Sequence, residues 1–139
     1  MTATPEFKAA SRAAEEWVDD LVQRLGWRDR RHAYLALLAA LHALRDSLPR
    51  EQAVYLGTQL PVLLRGFFYE GWHPGAPPTG TSRDAFLERI HDGVHRDPGI
   101  DAEQVARAVL AMLAARLPPA EIEATKAATP SALHYLWPT

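Results

Sequence analysis

Residues 33–61 read AYLALLAALHALRDSLPREQAVYLGTQLP, and residues 102–130 read AEQVARAVLAMLAARLPPAEIEATKAATP. Set in register, Ala33, Leu41 and Leu44 fall on Ala102, Leu110 and Leu113, Leu48-Pro49 on Leu117-Pro118, and Pro61 on Pro130. The match continues without a gap on both sides. Trp17, Leu21 and Leu25 fall on Phe86, Ile90 and Val94, and Phe67 and Phe68 on Leu136 and Trp137. Apolar stripe and helix breakers therefore recur together, which is how a duplicated unit reads in sequence. The expected fold is all-α: a compact bundle of two pseudo-symmetric helical repeats, 17–68 and 86–137. Each repeat would hold a helix, a second helix and a proline-broken helix pair. Each would present an apolar stripe for the other to cover.

Punctuation along the chain supports this division. Trp17, Val18, Leu21, Val22 and Leu25 lie at helical spacing and make one stripe of a helix over about 5–25. Gly26 closes it, and Asp29 is placed to accept from the orphan N–H groups of the next helix. Pro49 suits a first helical turn, and Pro61 forces a break near Gln59-Leu60, because proline removes one intrahelical bond. Residues 71–81, GWHPGAPPTGT, carry three prolines and three glycines and form the connector. A fourth long helix is expected from Thr81 or Ser82, with Thr81 and Asp84 at capping-box spacing and Phe86, Leu87, Ile90 and Val94 on its stripe. Asp97-Pro98-Gly99 is a turn, Asp101 caps the next helix, and a last short helix opens at Pro130.

Composition narrows the function classes. With 139 residues and 47% hydrophobic content the chain makes one domain with a real core. The formal net charge of -2 argues against nucleic-acid binding, which favours basic surfaces. Absence of Cys removes disulfides, thiolate catalysis and Cys-ligated zinc. Neither a signal-peptide core nor an apolar run of membrane-spanning length occurs, so a cytoplasmic protein is expected. No nucleophile elbow, phosphate-binding glycine loop or EF-hand pattern is found, so no catalytic residue and no cofactor is assigned.

Candidate binding groups come from positions where the repeats differ. His42, Arg45 and Asp46 stand where the second repeat has Ala111, Ala114 and Ala115. A histidine beside an arginine and a carboxylate suits a general base or an anion contact, and equally a charge cluster at a helix end. Arg65, Tyr69, Glu70 and Trp72 combine charge with aromatic bodies carrying polar tips, which suits an interface or a ligand wall. The competing structural role for Trp72 is to fold back as a lid on the core. His91 and His95, four apart, would share one face of a helix as in helical metal sites, but no third ligand follows in sequence. Arg24, Arg28, Arg30 and Arg31 form a basic stretch that Asp29 interrupts.

The stretches HALRDSLP (42–49) and LGTQLPVLLRGFFYEGW (56–72), followed by the proline- and glycine-containing connector, resemble a bacterial family of uncharacterised proteins, domain of unknown function 2267. The similarity runs from about Trp17 to Pro138, and Phe68 departs from the tyrosine of the family pattern. The resemblance implies an all-helical soluble domain with no established activity, and an accessory duty, stress-related or regulatory. The functional expectation is a non-enzymatic interaction domain with a protein partner or a second copy of itself. The alternative is a regulatory domain that binds a small molecule or metal.

Overall fold

The computed structural model describes residues 4–139, and every described regular element is helical. Seven α-helices run in order: α1 Pro5–Leu25, α2 Arg30–Ser47, α3 Arg50–Thr58, α4 Val62–Tyr69, α5 Arg83–Gly93, α6 Ala102–Arg116 and α7 Pro119–Ala128. A 3₁₀ helix, Ser131–Leu136, follows. None of these helices is long and apolar enough to cross a membrane.

The helix ends follow from local chemistry. Gly26 stops α1 at φ 69°, in the left-handed region where glycine meets no Cβ penalty. The Asp29 carboxylate accepts from the N–H groups of Arg31 and His32, and Asp101 does the same for Glu103 and Gln104. Pro61 holds extended backbone between α3 and α4, as Pro130 does after α7. The cap of α5 is Ser82, whose Oγ accepts from Ala85 N–H at 3.1 Å. The expected Thr81–Asp84 box does not form, because Ser82 occupies the capping position. The final segment adopts the tighter 3₁₀ geometry between Pro130 and Pro138 and delivers Leu136 and Trp137 into the core.

α2 is the central element. Ala33, Ala36, Leu37, Ala39, Ala40, Leu41, Ala43 and Leu44 are all buried, so it is apolar on nearly every side. It packs against α1, α4, α5 and α6, while α6 also packs on α1 and α5. Small side chains permit the closest of these crossings: a Cβ placed on Gly93 of α5 would lie 2.5 Å from the Ala39 Cβ. One core results, holding Leu21, Leu41, Phe68, Phe86, Ile90, Met112 and Leu113 at 2% exposure or less. Burying each such side chain contributes about 1.5–3 kcal/mol relative to leaving it in water.

Candidate functional site

The chain doubles back at Pro61, so α4 ends beside the C-terminal half of α2. The last carbonyls of a helix have no intrahelical donor and need one from elsewhere. At α4 these are supplied by α2. His42 Nε2 lies 2.7 Å from the Phe67 carbonyl, and Arg45 Nη1 donates to the carbonyls of Phe68 and Glu70 at 2.8 and 2.9 Å. The opposite edge of the Arg45 guanidinium grips Asp46, with Nε to Oδ1 at 2.8 Å and Nη2 to Oδ2 at 3.2 Å. Asp46 accepts a further bond from Arg89 Nη2 of α5 at 2.9 Å. Arg45, only 3% exposed, thus joins α2 to the end of α4 and, through Asp46, to α5.

These bonds fix charge states. Burial opposes the charged Asp46 carboxylate, but hydrogen bonds from Arg45 and Arg89 together outweigh it and hold the group below its usual range. Burial pushes His42 down, with the Phe67 carbonyl opposing and the positive charge of Arg45 adding to the effect. The neutral imidazole reaches a carbonyl only as the tautomer with its proton on Nε2.

Arg65 performs the same service for α3, and Tyr69 adds a bond one residue before the last four carbonyls of that helix. Arg65 donates to the carbonyls of Gly57, Thr58 and Leu60 at 3.1–3.2 Å, and the Tyr69 hydroxyl donates to the Val54 carbonyl at 2.6 Å. Gly57 is required beneath Tyr69, since any Cβ there would overlap the phenol ring. Trp72 stacks on the Tyr69 ring, with centroids 5.7 Å apart at 27°. It is half-buried against the core, as a lid would be, while the Glu70 side chain is exposed.

The six sequence candidates therefore divide. His42, Arg65 and Tyr69 bond backbone carbonyls at two helix ends, and Glu70 contributes its carbonyl to Arg45. Arg45 and Trp72 come together in the wall of a cleft of about 380 Å³. Asp46, Arg50, Arg89, His73, Pro74 and the connector prolines Pro77 and Pro78 also line it. The connector is held over the cleft by Thr79 N–H, which donates to the Asp46 carbonyl at 2.7 Å.

The His91–His95 pair is not formed as expected. α5 ends at Gly93, and His95 and Arg96 have left-handed backbone, at φ 59° and 53°. His95 thus lies past the helix, and His91 faces the Asp97 carbonyl at 3.4 Å. No three His, Asp or Glu side chains among the described residues gather as a metal site. In the basic stretch, Arg24 pairs with Asp20 at 2.8 Å, Arg30 with Glu15 and Asp19, and Arg31 lies over the Tyr34 ring.

Sequence reasoning missed one surface. Val54, Tyr55, Val62 and Leu63 are large apolar side chains at 42, 40, 59 and 41% exposure. All four come from α3 and the first turn of α4. Positions 69 further on hold Glu123, Ala124, Ser131 and Ala132. The same register that singles out His42, Arg45 and Asp46 marks these four positions as well.

A family model described as an uncharacterized conserved protein, DUF2267, matches residues 14–136. No curated protein matches the chain.

Proposed function

The chain belongs to the DUF2267 family, and on that premise we propose that it is a non-enzymatic helical interaction domain that pairs with a second copy of itself. The observation that carries this reading is the exposed apolar quartet Val54, Tyr55, Val62 and Leu63. Exposed apolar groups concentrated on one region mark surfaces that meet another molecule. The equivalent region of the second half carries small or polar residues, so the quartet is not demanded by the helix pair itself. The polar groups peculiar to the first half bond helix-end carbonyls, an arrangement that serves a scaffold. We take residues 17–68 and 86–137 to be copies of one ancestral unit, of which the first acquired the docking face. A regulatory or stress-linked setting in the bacterial cytoplasm, which the family resemblance suggests, suits a domain of this kind.

Sedimentation velocity tests the reading. The unmodified chain should show a dimer at about 100 µM, where a pair with a Kd near 10 µM is mostly formed. Val62→Asp with Leu63→Asp should sediment as a monomer while keeping the same helical circular dichroism. A monomer at every concentration for the unmodified chain overturns the proposal, and so does an undisturbed dimer for the variant. The alternative of a small-molecule regulator is favoured by one separate observation, the arginine-lined cleft.

A further inference from the structure

We propose that the cleft beneath the connector binds a small phosphate monoester, its phosphoryl group held by Arg50 and Arg89 and its organic body lying against Trp72 and the connector prolines. This develops the small-molecule alternative and is independent of self-association.

Charge accounts for the ligand class. Arg45, Arg50 and Arg89 line the cleft with one carboxylate, Asp46, and no Glu. Arg45 is already committed, because all three of its nitrogens donate to Asp46 or to the carbonyls of α4. Asp46 is therefore matched by Arg45. Arg89 uses only Nη2 on Asp46, which leaves Nε and Nη1 without a hydrogen bond among the described residues. Arg50 makes no side-chain hydrogen bond and no ion pair among them, although it opens α3 at the edge of the cavity. Three arginines against one carboxylate, which Arg45 and Arg89 share, thus leave one concave surface with two positive charges in excess. Like charges brought together repel, and a bound anion removes that cost. The excess of two matches a dianionic phosphate monoester better than a monocarboxylate, and guanidinium groups fit phosphate oxygens through paired N–H donors.

Shape agrees with charge. The volume of about 380 Å³ lies within the span of small-molecule sites, roughly 300–1,000 Å³. Trp72, Pro74, Pro77 and Pro78 give it an apolar side. Prolines and the Thr79 bond to Asp46 limit the motion of that wall, which lowers the ordering cost of binding.

Isothermal titration calorimetry with ribose 5-phosphate and with inorganic phosphate, at matched ionic strength, tests the site. Ribose 5-phosphate should bind saturably at one site and more tightly than inorganic phosphate, because only it reaches the apolar wall. Arg50→Gln should weaken ribose 5-phosphate at least about tenfold. That side chain supports nothing else in the fold, so the variant keeps its structure. Arg28→Gln, an exposed arginine away from the cleft, should bind like the unmodified chain. Absence of saturable binding up to about 10 mM overturns the proposal. Equal weakening by Arg28→Gln and Arg50→Gln also overturns it, since that would report general attraction between charges. Equal affinity for both probes removes the apolar wall from the site.

Discussion

Replacing Arg45 with Met should destabilise the domain by about 3 kcal/mol, although the substitution is apolar and occurs inside a core. The guanidinium is 3% exposed and makes four hydrogen bonds, two to carbonyls and two to Asp46. A hydrogen bond involving a charged group contributes about 1.5–3 kcal/mol, but simple addition ignores the desolvation of the arginine itself. Removing one member of a buried pair costs about 3–5 kcal/mol, because the partner is left uncompensated. Asp46 keeps Arg89 and has a side chain 21% exposed, which places the loss at the lower end. Urea unfolding measures it as a lower midpoint at unchanged slope. Arg45→Lys should recover less than half, since one ammonium cannot serve Asp46 and two carbonyls in a planar fork. Adding Asp46→Asn to Arg45→Met should cost less than the sum of the single changes, because no carboxylate is then stranded. An Arg45→Met variant within about 0.5 kcal/mol of the unmodified chain, the range of ordinary surface changes, would refute the assignment.

Two glycines should respond in opposite directions in the same urea experiment. Gly93→Ala forces a Cβ to within 2.5 Å of the Ala39 Cβ and 3.1 Å of its Cα, so α2 and α5 must part; a loss of about 1–3 kcal/mol is expected, and a gain would refute the close crossing. Gly66→Ala meets nothing within 4 Å inside α4 and should gain about 0.5–1 kcal/mol from the lower helix cost of alanine. His42 makes stability depend on pH: its folded value lies below the 6.5 of the unfolded chain, so its contribution is complete above 6.5 and is lost as pH falls from there through the lowered value. Asp46, also depressed, keeps its contribution above 3.8 and loses it as pH falls further. His42→Gln should therefore flatten the stability profile in the upper window and leave the lower one; identical profiles would remove His42 from the account.

The helices were legible because their signals are local. Asp29, Asp101, Gly26 and Pro61 each act within a few residues of their own position, and the structure places caps or breaks at all four. The stripes were legible because burial recurs at helical spacing, from Leu21 and Leu25 in α1 to Val109 and Leu113 in α6. The end of α5 was not. The stripe Phe86, Leu87, Ile90 and Val94 runs on past Gly93 without a break, while the reason for a glycine there, contact with Ala39, is tertiary. The roles of His42, Arg45, Arg65 and Tyr69 were hidden for the same reason. Their partners are carbonyls 5 to 25 residues away, and backbone groups leave no mark in the side-chain sequence.

Mismatch between the halves therefore needs a second filter before it points to a ligand. Arg65 donates to the Leu60 carbonyl at 3.1 Å, and His134, 69 positions on, lies 2.8 Å from the Thr129 carbonyl, itself 69 beyond Leu60. The side chains differ, yet both meet the carbonyl before a proline. The ion pairs do not follow this register: Asp20 of α1 accepts from Arg116 of α6 at 2.8 Å and Arg89 of α5 donates to Asp46 of α2 at 2.9 Å, yet the position 69 before Arg116 is Ser47. Groups that differ but answer the same backbone need carry no information about partners. Once they are set aside, Arg50, opposite Pro119, and Val54, Val62 and Leu63, opposite Glu123, Ser131 and Ala132, remain as differences with no side-chain bond among the described residues, whereas the Tyr55 hydroxyl has Glu121 as a partner. Large apolar side chains left in water at such positions add nothing to the core, and a surface that meets another molecule would account for them.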